Sequence, residues 1–103
     1  MQWLWTWGGR FFGYREDDVL RTYDGRHVGR FEGNEVYDRH GHYLGEIIRE
    51  ENRLIRNRSK GKRTSSFTPA AKASPSKKLV DFGEFTPFEG YEDFPAPNSS
   101  VFE

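Results

Sequence analysis

The chain has 103 residues, no cysteine, and sixteen basic against sixteen acidic side chains. Only 34% of residues are apolar and aromatics make up half of those, so one domain with a modest core is the most it can build. Disulfides are excluded, no stretch is long and apolar enough for a spanning helix, and MQWLWTW lacks the basic start and apolar run of a signal peptide. A soluble cytoplasmic protein with no membrane partner is expected.

In chain order the first half reads as an antiparallel β-meander. Gly9, Gly25 and Gly41 recur every 16 residues, as do Gly13, Gly29 and Gly45. Gly8-Gly9, Asp24-Gly25 and His40-Gly41 suit two-residue hairpin turns, which need positive φ. A second turn signal follows each: Glu16-Asp17-Asp18, Glu32-Gly33-Asn34 and Glu50-Glu51-Asn52, the third with two extra residues. The strands predicted between these turns cover 2–7, 10–15, 19–23, 26–31, 35–39, 42–49 and 52–57. Alternation places Trp3, Trp5 and Trp7 on one face, Phe12 with Tyr14, and Tyr43 with Gly45 and Ile47. Gly13, Gly29 and Gly45 fall inside strands, where glycine implies a bulge or room for a neighbouring ring.

Charge separates the rest. Residues 1–56 hold nine Arg and no Lys against ten acids; residues 57–78 hold seven bases and no acid; residues 79–103 hold six acids and no base. Residues 58–78 are rich in Ser, Lys, Ala and Pro, which predicts a disordered basic linker after a repeat domain of 1–57. Residues 79–103 place Leu79, Phe82, Phe85, Phe88, Tyr91 and Phe94 three apart, the period of polyproline II, so an extended acidic aromatic arm is expected.

Candidate chemistry is sparse. Asp38, His40 and His42 alternate as metal ligands would, but His40-Gly41 falls in a turn and His42 takes the slot of Arg10 and Arg26, so no metal or other cofactor is expected. Arg10, Arg26 and Arg30, in a sheet rich in rings, suit either anion contacts or cross-strand pairing with acids. The serines of the linker have no base held near them, and the doubled carboxylates sit at exposed tips, so no enzyme is expected.

FFGYRE at 11–16, YDGRHVGRF at 23–31, YDRHGHYLGEI at 37–47, NRLIRNRSK at 52–60 and GYEDFPAP at 90–97 together resemble the four-fold β-flower proteins, a family of small bacterial proteins. The resemblance implies an all-β fold and four-fold character in architecture or assembly. It implies no catalytic residue and no ligand. A meander has two free edges, and three Trp on one of them would stand exposed in a monomer, so a homo-oligomer, preferably a tetramer, is expected. Trp3, Trp5, Trp7, Phe82, Phe85, Phe88, Tyr91 and Phe94 are the expected contacts, with itself or another protein. The expected function is a non-catalytic, self-associating interaction or structural module. Binding of nucleic acid or a nucleotide-like anion by the arginines and rings is the alternative.

Overall fold

The computed structural model describes residues 1–49 and 51–103. Eight strands form one sheet: β1 (Gln2–Thr6), β2 (Phe11–Glu16), β3 (Val19–Thr22), β4 (His27–Glu32), β5 (Glu35–Tyr37), β6 (Tyr43–Ile47), β7 (Arg53–Asn57) and β8 (Tyr91–Asp93), followed by a short 3₁₀ helix, Ser100–Phe102. Strands β1 to β7 pair antiparallel in chain order, and β1 also pairs parallel with β7 through Trp5–Arg53 and Thr6–Leu54. The all-β meander is therefore closed into a seven-strand barrel, and the two open edges expected of it are absent. Closure removes unpaired edges altogether. Strand β7 forks: Arg53 and Leu54 face β1, while Ile55, Arg56 and Asn57 pair with β8, a strand the sequence reading did not anticipate. Glu50, in the third of the second-type turns, lies outside the described residues.

The core is a ring with its own beat. Leu4, Phe12, Leu20, Val28, Val36 and Leu44 recur every eight residues, and Leu54 follows after ten, absorbing the two-residue insertion. Each of the seven barrel strands thus sends one large apolar residue to the axis. Phe31, Ile47 and Phe94 complete the cluster, with Phe102 packed against it.

Three β-bulges explain how that beat is kept. Leu4 opposes Gly13 but Trp5 opposes Phe11, which leaves Phe12 unopposed; Val28 and Leu44 are left over in the same way against β3 and β5. A bulge sends two successive residues to one side. Here they are Phe12-Gly13, Val28-Gly29 and Leu44-Gly45. Two of the expected faces are corrected by this. Phe12 lies in the core while Tyr14 packs outside on Trp3, with ring centres 5.8 Å apart. Likewise Ile47 lies inside while Tyr43 packs outside against Tyr37.

Residues 58–90 wrap the outside of the barrel. The N–H groups of Thr64, Ala73 and Phe82 donate to the carbonyls of Gly41, Gly25 and Gly9 at 2.9, 2.9 and 2.7 Å. Three residues on, Phe67, Ser76 and Phe85 donate to Arg39, Tyr23 and Trp7 at 3.0, 2.7 and 3.1 Å. A nine-residue beat in this strap is thereby matched to the sixteen-residue beat of the barrel, read backwards. The segment expected to be a free linker is tied down through its backbone. Its residues at 64, 67, 73, 76 and 79 are half-buried at intervals of three or six, so a period of three begins before the arm, interrupted where Pro69 is half-buried and Ala70 exposed. The turn glycines serve the strap as well as the hairpin. Gly25 has φ 95°, and a Cβ there would sit 2.0 Å from the Ala73 carbonyl oxygen.

Candidate functional site

The seam between strap and barrel holds most of the residues singled out by sequence. Phe82 stacks on Trp5 with ring centres 4.0 Å apart, and the Trp5 indole N–H donates to the Val80 carbonyl at 2.9 Å. Phe85 and Phe88 pack on Trp7 at 5.3 and 5.4 Å, and the Trp7 indole N–H donates to Thr86 O at 3.1 Å. Both buried indole donors are satisfied, as such groups require. Trp5 and Trp7 are only 6% and 4% exposed, so the tryptophans expected on an open edge are covered by the chain's own arm. Trp3 is half-buried, packed on Phe11 and Tyr14. Phe82 and Phe85 remain 48% and 39% exposed on their outer faces.

Arg53 braces this seam. It is buried, its guanidinium donates to the carbonyls of Trp7 and Gly83 at 2.9 and 2.7 Å, and it lies 3.6 Å from the centre of the Phe85 ring. A guanidinium with two carbonyl acceptors and a ring face is well compensated for burial. Arg49 lies 4.5 Å over Phe88.

Two expected contacts belong elsewhere. Phe94 is core, packed edge-on against Phe12 at 5.3 Å, and is not free for a partner. Tyr91, on β8, pairs with Asn57 of β7 and touches Phe88.

The three arginines proposed as anion contacts are not assembled into one site. Arg26 pairs with Asp24 at 3.2 Å and donates to Pro97 O at 2.6 Å. Arg30 donates to Ser65 O at 2.7 Å and lies over Phe67, so it fastens the strap. Arg10 is exposed and rims a cleft beside Tyr23. Asp38 accepts the N–H groups of His40 and His42, both at 2.9 Å, and faces the His42 ring at 3.3 Å. That geometry caps a turn. Among the described residues no group of three or more His, Cys, Asp or Glu is placed to hold a metal ion.

Two contacts were missed by sequence reasoning. Lys60, where the strap leaves the barrel, donates to Glu35 and Glu46 at 2.7 and 2.9 Å, and the Tyr43 hydroxyl donates to the same Glu46. Hydrogen bonding to both carboxylates raises the Lys60 ammonium above its ordinary value, and the Lys60 contact lowers Glu35 against the opposing effect of burial. Burial, then the Glu46 hydrogen bond, pushes the Tyr43 phenol up. His27 stacks on Phe67 at 4.8 Å; its Nδ1 accepts the Ala70 N–H at 2.9 Å, so the ring proton sits on Nε2 and is donated to Gly29 O at 3.0 Å. Burial lowers the pKa of this His, which suits a neutral ring holding the strap. The available sequence signal was the near-repeat of TSSFTPAAK at 64–72 as FGEFTPFEG at 82–90.

A model of the family described as 4-fold beta flower protein matches residues 1–94. The chain belongs to that family. No curated protein and no solved structure matches it. The matched span takes in the barrel, the strap and Phe94, so the β-flower unit includes the basic stretch as well as the meander. No helix among the described residues of this flower chain is long and apolar enough to cross a membrane.

Proposed function

We propose that this β-flower chain is a non-catalytic interaction module that associates with copies of itself and, through the same face, with another protein. One observation carries the reading. The arm lays an aromatic row on the outside of the barrel and leaves Phe82 and Phe85 half exposed beside the more exposed Val80. Rings fixed from beneath and open above are the usual anchors of an interface, because little freedom is lost when they are covered. The free edge that first suggested association is gone, and this row supplies a different reason for it. The titratable clusters support the non-catalytic reading: Glu35, Glu46, Lys60 and Tyr43 are spent on one another, and Arg53 on the strap.

Size-exclusion chromatography with light scattering tests the proposal. An oligomer at micromolar concentration is expected, and the double substitution F82A/F85A should shift it to monomer. A wild-type chain that stays monomeric to high concentration sinks it.

A second reading has its own support. A cleft of about 230 Å³ is lined by Arg26, Arg39, His40 and Lys72, together with the carboxylates Asp38 and Glu103, over an apolar floor of Val28 and Phe102. Such a cleft suits a small anion with an apolar part. Under this reading a nucleotide raises Tm at low salt and loses that effect as salt rises.

A further inference from the structure

Between the stations at Phe67 and Ala73 the strap carries no ring and no large apolar side chain: the interval is Thr68, Pro69, Ala70, Ala71 and Lys72. Its ends are pinned, by the Phe67 N–H on Arg39 O at 3.0 Å and the Ala73 N–H on Gly25 O at 2.9 Å. Among the described residues, two hydrogen bonds tie the interval itself to the barrel. The Ala70 N–H donates to His27 Nδ1 at 2.9 Å, and Arg21 donates to Ala71 O at 3.1 Å. The same Arg21 nitrogen also donates to Gly25 O at 2.8 Å, so the tie to Ala71 is a shared one. Pro69, Ala70 and Lys72 form part of the wall of the cleft of about 230 Å³, which His27 lines as well.

A ring nitrogen that accepts a hydrogen bond carries no proton. Here Nε2 holds the ring proton and gives it to Gly29 O, so a second proton can go only to Nδ1, the atom on which Ala70 rests. Two N–H donors then face each other, and the Ala70 bond is lost. Burial and the guanidiniums of Arg21 on β3 and Arg30 on β4 resist the charge, whereas the Gly29 bond and Asp18 in the β2–β3 turn favour it. Arg26, Asp38, Arg39, His40, Lys72 and Glu103 line the same cleft. An imidazolium repels Arg21, which is the other tie of the interval. The stack of His27 on Phe67 behaves differently, because a cation is attracted to a ring face, and that station holds.

We propose that residues 68–72 are a cover on this cleft, held down by neutral His27 and released when its ring takes a proton. The stations at Phe67 and Ala73 act as the hinges. With the cover lifted, the cleft is wider and its wall has gained one positive charge. The cover works in this way whatever the cleft takes, and so goes beyond both readings above. Release belongs to mild acid. His27 is held below its ordinary 6.5, so its grip is complete above that pH and is lost as pH falls through the lowered folded value. Glu35 of the Lys60 contact is lowered from 4.5 and gives way only below that, so the two events are separate in pH.

Amide hydrogen exchange of the full chain, followed by NMR from about pH 7.5 to about pH 5 and corrected for the intrinsic effect of pH on exchange, tests this. Protection of the Ala70 amide is expected to fall roughly three- to tenfold as pH drops below His27's ordinary value, while the station amides of Thr64 and Ser76 keep theirs. His27→Gln retains an oxygen that can accept the Ala70 N–H and removes the titration, so its Ala70 protection should stay level over the same range. Wild-type Ala70 protection that stays level down to about pH 5 overturns the proposal. So does an equal loss at Thr64 and Ser76, which would be opening of the whole strap, or a loss of the same size in His27→Gln. The wild-type profile decides by itself where the variant folds poorly.

Discussion

At the scale of single residues, the glycines inside strands have a specific task. A bulge turns two neighbouring side chains toward one axis, and the barrel is too narrow for both to be large. Phe12, Val28 and Leu44 take the space, and Gly13, Gly29 and Gly45 yield it. The demand is sharpest at Gly45, where a Cβ would lie 2.6 Å from both the Ile55 carbonyl oxygen and the Phe94 ring. The backbone oxygen cannot step aside without opening the β6–β7 pairing. Gly45→Ala is therefore expected to cost about 2–4 kcal/mol in urea unfolding. Gly61→Ala, with nothing within 4 Å of its Cβ, should stay within about 0.5 kcal/mol. Equal effects of the two would mean that the bulges do not need glycine. The sixteen-residue beat of these glycines was plain in the sequence. The bulge that explains it also reverses the alternation on which Phe12 and Tyr14, or Tyr43 and Ile47, were expected to share a face.

At the scale of elements, the strap is held by a charged latch, by arginines of the barrel such as Arg30 and Arg53, and by a series of backbone bonds. The latch is Lys60 between Glu35 and Glu46. Glu35 is lowered from its ordinary 4.5, so its contribution is complete above that pH and is lost as pH falls through the lowered folded value. Lys60 is raised from 10.5, so its contribution is complete below that pH and is lost only as pH rises through the raised value. The latch is fastened between these limits and opens in acid. Lys60→Met should cost about 1–2 kcal/mol at pH 7 and less at pH 3, measured by urea unfolding at both. An equal cost at both pH values would remove the carboxylates from the account. None of this was legible in the sequence. A Ser/Lys/Pro-rich stretch signals disorder because it lacks apolar side chains. The groups by which this one binds are mostly its main-chain N–H and C=O groups, which leave no compositional trace. The closure of β1 onto β7 was hidden for a similar reason: it joins residues nearly fifty apart through backbone pairing.

At the scale of the whole molecule, the chain consists of two repeats with different periods laid across each other. The barrel sets its turns sixteen residues apart, and the strap meets them every nine, over a body measuring 36 × 32 × 25 Å. Nine residues in polyproline-like extension span about 28 Å, and each such interval of the strap is pinned at both ends by backbone hydrogen bonds. The strap therefore works as a ruler. A spacer tolerates a change of length, because added residues cost only a little more loop entropy. A ruler does not: one extra glycine between Phe67 and Ala73 puts every later contact out of step, lifting Phe82 from Trp5 and Phe85 from Trp7 unless the chain buckles locally. Insertion there should lower Tm by several degrees and quench less of the tryptophan burial signal in fluorescence. The same insertion between Lys60 and Thr64, ahead of the first station, should be milder. In length, rather than in composition, this part of the chain has almost no freedom to drift.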